Sequence, residues 1–334
     1  MRTHTSSLFS HPSNMAQLAN RATTKRKPVL SKQLRNDLRA YAFVLPWLIS
    51  LLVFIAYPMI ASFYFSFTQY NILEPPKWIG ASNFTRMFNT DPQFWTATGN
   101  TAYYALISVP LSLAVALGLA LLLNRSNKGI GFYRTVFYLP SLVPAVATTL
   151  VWMLLLDARL GLVNVLLNSL GVPRIGWFQS AVWSKPGLIL MTLWTGTGSA
   201  MLIFLAGLKD VPRSLLEAAM IDGANSWQRL RHVTIPLLTP TIFFNLIMGI
   251  IASFQIFTPV YVALGAIENS GVGGMGPLNS LLMYMLHLYR FAFRFFEMGY
   301  ASAMATVMFI VLVLLTLLVV RSSNYWVHYE GTKR

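Results

Sequence analysis

The chain has 334 residues, of which 55% are hydrophobic and only 10% are charged, and its formal net charge is +15. Soluble globular proteins carry about 25% charged residues, so this composition argues against an ordinary soluble enzyme. The absence of cysteine excludes a disulfide framework, thiolate zinc sites and cysteine nucleophiles. A basic excess is typical of proteins that bind nucleic acid or a membrane surface, and the positions of the charges decide between the two.

Six long windows of the sequence contain no Asp, Glu, Lys or Arg. A bilayer core about 30 Å thick needs about 20 apolar helical residues to cross, and a charge at the centre of a span costs about 2.5–3.5 kcal/mol. The windows therefore predict an all-α integral membrane protein with six transmembrane helices. The predicted spans are residues 41–67, 98–123, 135–156, 186–208, 241–264 and 298–320.

The segments between the spans predict the orientation. Most Lys and Arg residues lie before the first span, after the last span, and in the second and fourth connections. By the positive-inside rule, both termini and the 209–240 loop are therefore predicted to be cytoplasmic. Residues 1–36 are polar, and we predict a disordered basic tail there, with nucleic-acid binding as the alternative role. Residues 37–325 form the predicted membrane domain, and residues 326–334 form a second cytoplasmic tail.

The 209–240 loop carries the clearest local signals. Gly223 stands where a helix needs a left-handed stop, and Asn225 or Ser226 can cap a second helix, which Pro236 would end. We expect two short helices at an angle on the cytoplasmic face. Such a helix can dock into a groove of another protein, but a plain amphipathic connector fits the same pattern.

The loop also contains a motif that resembles a known family. Glu-Ala-Ala-x-x-Asp-Gly-Ala is complete from Glu217 to Ala224, and Val-Thr-Ile-Pro follows at Val233–Pro236. This pattern resembles the EAA motif of bacterial ABC importer permeases of the carbohydrate-uptake branch, of the first-permease type. The resemblance covers most of residues 40–325. Two apolar departures, Leu230 for Phe and Val233 for Ile, do not alter it.

The resemblance implies a MetI-like permease fold with a cytoplasmic coupling helix in the bacterial inner membrane. It implies a binding-protein-dependent importer of a sugar or related polyol. The implied partners are a second permease subunit, two ATP-binding subunits and an extracytoplasmic solute-binding protein. The implied ATPase-coupling residues are Glu217, Ala218, Ala219, Asp222 and Gly223.

We do not expect this chain to catalyse a reaction itself. No Lys is followed by Ser or Thr, so the phosphate-binding loop of an ATPase is missing and a separate subunit must use the ATP. No cofactor is expected, and the five scattered His residues predict no metal site. A membrane-embedded enzyme would need convergent catalytic groups, which the sequence does not show. The main alternative is an ion-coupled secondary transporter of a small polar solute, but such proteins usually keep ionisable residues inside the membrane.

Polar residues in the fourth and fifth spans are candidates for the substrate path. A neutral polyhydroxylated solute needs hydroxyl and amide partners rather than buried charges, and the sugar sites of the resembled family use these two helices. By that likeness the candidates are Thr192, Thr195, Gly196, Ser199 and Ser253. The competing role of such small polar residues is to hold membrane helices together.

Overall fold

The structure is a computed structural model that describes residues 30–124, 127–268 and 275–328. The chain divides into two compact units, and the boundary between them in the sequence lies between Ala61 and Ser62. The first unit contains helix α1 (Leu30–Ser50), a π-helical turn (Leu51–Ala56) and the start of α2 (Tyr57–Phe65). Helix α1 thus begins within the predicted tail, of which residues 1–29 lie outside the described residues, as do residues 329–334 of the second predicted tail.

The second unit is built almost entirely of helices. A short antiparallel ribbon, β1 (Thr68–Gln69) with β2 (Lys77–Trp78), precedes them and pairs Thr68 with Trp78. The helices are α3 (Ser82–Asn89), α4 (Pro92–Leu123), α5 (Ile130–Tyr138), α6 (Ala145–Leu155), α7 (Leu162–Ser169), α8 (Ser184–Asp210), α9 (Arg213–Ile221), α10 (Ser226–Arg229), α11 (Ile235–Phe254), α12 (Thr258–Glu268), α13 (Tyr284–Tyr289) and α14 (Met298–Trp326).

The predicted spans correspond to long apolar helices. Within the described residues, five helices are long and apolar enough to cross a membrane, and a bent pair makes a sixth if it is one span. The second, fourth and sixth spans extend beyond their predicted windows, as Pro92–Leu123, Ser184–Asp210 and Met298–Trp326. The second begins at Pro92 instead of residue 98, because Asp91 caps it and proline is favoured in the first turn.

The third predicted span is not a straight helix. The axes of residues 130–142 and Ala145–Leu155 differ by 100°. Pro140 and Pro144 both lie in the predicted window and lack an N–H for helical hydrogen bonding. Proline also forces the residue before it into an extended conformation, and Val143 has a ψ of 132°. The sequence therefore contained the cause of the bend.

The fifth predicted span is interrupted near its end. Helix α11 ends at Phe254, and α12 begins at Thr258. The ring of Pro259 would clash with the carbonyl of Gln255 in a continuous helix, which accounts for the break. Pro236 does not end a helix as predicted. It lies in the first turn of α11, directly after the π-helical turn Leu230–Thr234, and the helical backbone continues through it from α10.

Helix α8 packs along α4 with the same direction, and α11 lies against both. Small residues on α4 pack against larger ones on α8 and α11 in one buried cluster: Ala116, Ala120, Met201, Phe204 and Leu238. We call the end at which α4, α8 and α14 begin the Asp91 end. The opposite end, which carries α9 and α10, is the EAA end.

Because α8 packs closely against the bent segment, one of its glycines should not tolerate a larger side chain. A Cβ on Gly198 would lie 2.6 Å from the carbonyl oxygen of Phe137, whereas one on Gly196 would meet nothing within 4 Å. Gly198→Ala should therefore lower the thermal unfolding temperature of the purified protein, since overpacking costs about 1–3 kcal/mol. Gly196→Ala, in the same helix, is the control and should leave that temperature unchanged or raise it. Equal unfolding temperatures for the two variants would contradict the packing argument.

Candidate functional site

A cavity of about 450 Å³ lies between α4, α8 and α11. Four of the five residues predicted for the substrate path line it: Thr192, Gly196, Ser199 and Ser253. Thr195 does not line it, and its hydroxyl donates to the carbonyl of Thr192 instead. The structure thus brings residues from both predicted spans to the same cavity, on two of its walls.

The third wall comes from α4, which the sequence analysis did not include. Tyr104, Ser108 and Ser112 line the cavity from this helix. Their spacing of four residues places them on one helix face, and this stripe was the signal that could have identified them. The Tyr104 hydroxyl donates to Thr192 Oγ1 at 2.9 Å, so the two walls are joined by a hydrogen bond.

The polar groups of the lining are uncharged, and the rest of its surface is largely apolar. Besides these hydroxyls, Asn245 contributes an amide, and no Asp, Glu, Lys or Arg lines the cavity among the described residues. The hydroxyls of Thr192 and Ser253 donate to carbonyls of their own helices, at 2.9 and 2.8 Å. Their oxygens can still accept hydrogen bonds. The cavity can therefore bind a neutral molecule rich in hydroxyl groups.

The EAA loop has the two-part form that its sequence predicts. Gly223 has a φ of 82°, which confirms the left-handed stop after α9. Asn225 and Gln228 form a reciprocal capping box at the start of α10. A π-helical turn, Leu230–Thr234, then joins α10 to α11 without a break.

The predicted coupling residues lie on the surface of the EAA end. Glu217, Ala218, Asp222 and Gly223 are exposed, and Ala219 is half-buried. Helix α9 buries no residue completely. Large apolar side chains beside the motif are also exposed: Leu215, Met220, Ile221 and Trp227. Several exposed large apolar side chains close together in the sequence are typical of a site for another protein.

The Asp91 end contains a buried polar cluster that no sequence motif indicated. Asp91 Oδ1 accepts from the backbone N–H groups of Gln93 and Phe94, at 2.9 and 3.2 Å. Its Oδ2 lies 2.9 Å from His287 Nε2 and accepts from the Tyr300 hydroxyl at 2.8 Å. One carboxylate thus joins the starts of α4 and α14 to α13.

An ion pair closes this cluster. Arg86 forms a salt bridge with Glu297, and its guanidinium lies 4.5 Å from the centre of the Tyr300 ring. Arg86 belongs to α3, so the segment before α4 is also tied to the start of α14. No group of three or more His, Cys, Asp or Glu side chains that could hold a metal ion occurs within the described residues.

The protonation states in this cluster follow from burial and hydrogen bonding. Burial alone raises the pKa of the Asp91 carboxyl, but the hydrogen bonds from His287 and Tyr300 outweigh it, and the pKa falls below its usual value. Burial lowers the pKa of His287 despite the nearby carboxylate. The His287 Nδ1 has no hydrogen-bond partner, which fits a neutral ring that donates from Nε2 to Asp91.

Comparison with known proteins identifies the family to which this chain belongs. A family model described as "Binding-protein-dependent transport system inner membrane component" matches residues 108–328. The Bacillus subtilis protein YesP, a probable ABC transporter permease, is 46% identical over 307 residues, which cover 90% of this chain and 96% of YesP. LacF of Rhizobium radiobacter, a lactose transport system permease protein, is 35% identical over 303 residues, which cover 89% of this chain and 96% of LacF.

A solved structure has the same fold. A chain in the crystal structure of a bacterial ABC transporter involved in the import of the acidic polysaccharide alginate superposes with a TM-score of 0.72 at 24% identity. The match covers 88% of this chain and 98% of the other.

The Asp91 cluster predicts a loss of stability on acidification. The pKa of His287 is lower in the folded protein than in the unfolded chain, where a histidine has a pKa of about 6.5. Below that pH the unfolded chain binds a proton that the folded protein does not bind. The stability that His287 contributes is therefore lost as the pH falls below that value. The contribution of Asp91, whose folded pKa is also lowered, is lost only at still lower pH. The unfolding temperature of the protein in lipid nanodiscs should therefore be lower at pH 5.5 than at pH 7.5.

Two variants assign this effect to one imidazole. His287→Gln keeps an N–H donor but does not titrate, and the difference in unfolding temperature between the two pH values should shrink. His232→Gln removes an exposed imidazole at the EAA end and should leave the difference as in the wild type. The assignment fails if His287→Gln and the wild type respond alike.

Proposed function

The chain belongs to the family of inner-membrane permease components of binding-protein-dependent transport systems, and on this premise we propose that it carries a sugar or related polyol. With a second permease subunit it forms the solute path of an ATP-driven ABC importer. Permeases of this family are transport subunits whose ATPase is a separate subunit, so the chain is not an enzyme. Family membership likewise disfavours an ion-coupled secondary transporter.

The observation that carries the proposed solute class is the cavity between α4, α8 and α11. Its hydroxyl and amide groups match the hydroxyl groups of a sugar, and its uncharged lining matches a neutral ring. The Tyr104 side chain adds an aromatic face. LacF, which is named for lactose transport, agrees with this class.

The orientation is part of the proposal. Lys and Arg residues concentrate in the tails and in the connections at the EAA end, which supports a cytoplasmic position for that end and for both termini. The Asp91 end then faces outward, where a solute-binding protein would deliver the sugar. The EAA end faces two ATPase subunits, which hydrolyse the ATP.

The chain connectivity suggests how the ATPase acts on the cavity. The coupling loop follows directly from α8, which carries Thr192, Gly196 and Ser199, and it continues through a π-helical turn into α11, which carries Ser253. A movement of the loop is therefore transmitted along two of the three cavity walls. Closure of the ATPase subunits on ATP would move the loop and change which end of the cavity is accessible.

The coupling role of the EAA loop is tested by reversing one charge. Glu217 is exposed, so Glu217→Lys should leave membrane insertion intact. A like charge placed across an interface costs several kcal/mol, and ATP-driven uptake by the reconstituted importer should fall at least about tenfold. Gly223→Pro should act in the same direction, since proline holds φ at about −65°.

Glu74→Lys is the matched control for the coupling variants. It reverses an exposed charge in the segment between β1 and β2, away from the EAA loop. Uptake should stay at the wild-type rate. If Glu217→Lys also transports at that rate, the loop is not the coupling element.

The solute role of the cavity is tested by two isosteric changes in α8. Thr192→Val removes a hydroxyl that lines the cavity, and the half-saturating sugar concentration for uptake should rise about 3- to 10-fold, as expected for one lost hydrogen bond. Thr195→Val removes a hydroxyl outside the cavity and should leave that concentration unchanged. Identical uptake curves for the two variants would exclude this cavity as the solute site.

A further inference from the structure

A second cavity, of about 700 Å³, lies toward the Asp91 end. We call it the arginine crevice, because two guanidinium groups and several aromatic rings line it. Its main lining residues are Tyr261, Tyr289, Arg290, Phe293 and Arg294. Tyr261 belongs to α12, Tyr289 ends α13, and the others belong to the π-helical turn Arg290–Arg294 that follows α13.

Within the part of the chain that the structure describes, neither arginine has a carboxylate directly paired with it. Arg290 Nη1 donates to Gln93 Oε1 at 3.2 Å, and its buried Nε has no acceptor. Asp91 acts on Arg290 only at a distance, because both of its oxygens accept hydrogen bonds from other groups.

The local electrostatics favour an anion at this place. Burial and the charge of Arg294 both lower the pKa of Arg290, and they outweigh the attraction of Asp91. Two like charges therefore lie near each other, and the attraction of Asp91 compensates their repulsion only in part. An anionic ligand would relieve this repulsion, and the planar guanidinium group is well suited to a carboxylate, which it can bind through two parallel hydrogen bonds.

The remaining walls offer aromatic surfaces. Tyr261 stacks on Phe257 with ring centroids 5.3 Å apart, and Tyr289 packs against both at 5.4 and 4.9 Å. Phe257 directly follows Ile256, which lines the solute cavity. The aromatic cluster thus adjoins the proposed solute path, and ring faces of this kind bind the apolar faces of sugar rings.

We propose that the arginine crevice is an outer binding site for a sugar that carries a carboxylate, such as a uronic acid residue. The carboxylate pairs with Arg290 and Arg294, and the sugar ring lies against Tyr261 and Tyr289. The proposal rests on the proposed function, since it places the crevice at the outward entrance of a sugar path. The transported solute then has an acidic residue, which the crevice binds, and a neutral residue, which fits the uncharged cavity.

The binding test compares two sugars that differ only at C6. Methyl β-D-glucuronide carries a carboxylate there, and methyl β-D-glucoside carries a hydroxymethyl group. Their affinities for the purified importer complex, in nanodiscs of neutral phosphatidylcholine without nucleotide, are measured by saturation-transfer NMR. The glucuronide should bind at least about tenfold more tightly, as expected for hydrogen bonds to a charged group.

Three substitutions locate this preference. Arg294→Gln changes an exposed side chain and should reduce glucuronide affinity to that of the glucoside, and Arg290→Gln should act alike. Arg174→Gln removes an exposed guanidinium that does not line the crevice, and it should leave both affinities unchanged. Since Arg294 is exposed and makes no salt bridge within the described residues, its replacement should not affect folding, which the unfolding temperature checks.

Three results would overturn the proposal. The first is equal affinity for the two sugars, including no binding of either. The second is an equal loss in Arg174→Gln, which would assign the preference to overall charge. The third is weaker docking of the solute-binding protein to Arg294→Gln with unchanged glucuronide affinity, which would make the crevice a protein-docking surface. Failure of the proposed function is distinguishable, because it would appear as absent ATP-driven uptake of any sugar by the wild type.

Discussion

The close approach of α8 to its neighbours is the constraint on which the rest of the structure depends. At Gly198 the helix touches the backbone of Phe137 and Tyr138, with no room for a methyl group. Because lipid tails give no hydrophobic drive for helices to associate, membrane helices rely on close packing and interhelical hydrogen bonds. Helix α8 packs against α4, the bent segment and α11 at once, so its position determines where the cavity lies.

The same helix connects the cavity to the EAA loop. One of its faces provides the hydroxyl groups of the solute cavity, and its last residue leads into the EAA loop. The reciprocal cap of Asn225 and Gln228 and the unbroken passage into α11 make the return connection stiff. The chain from Ser226 to Phe254 is thus helical throughout, and it connects the EAA loop to the cavity without a flexible linker.

The sequence predicted the parts of the fold that depend on composition and on short local signals. Charge-free windows located the spans, and Gly223 and Asn225 marked the loop geometry correctly. The windows missed the start of α4 at Asp91 and Pro92. A charged residue and a proline both count against a span, but Asp is favoured as the cap of a helix and Pro in its first turn. They also missed the bend at Pro140 and Pro144, because hydropathy does not register hydrogen-bonding capacity.

The candidate site was only partly predictable, for a physical reason. Sequence spacing shows which residues share a helix face, but not which face of α8 meets α4. Thr195 was therefore predicted for the path alongside Thr192, and Tyr104 was left out. The arginine crevice and the Asp91 cluster join residues from distant parts of the chain, and a single sequence has no signal for such pairings.

The Asp91 carboxylate has a consequence for the order of assembly. It is separated from His287 by 196 positions and from Tyr300 by 209. A chain made from its N-terminus first caps α4 with one carboxylate oxygen long before the donors for the other oxygen exist. The second oxygen gains its two donors only when α13 and α14 are in place. An intermediate that lacks α13 and α14 holds a half-satisfied carboxylate at the Asp91 end, which is costly to bury.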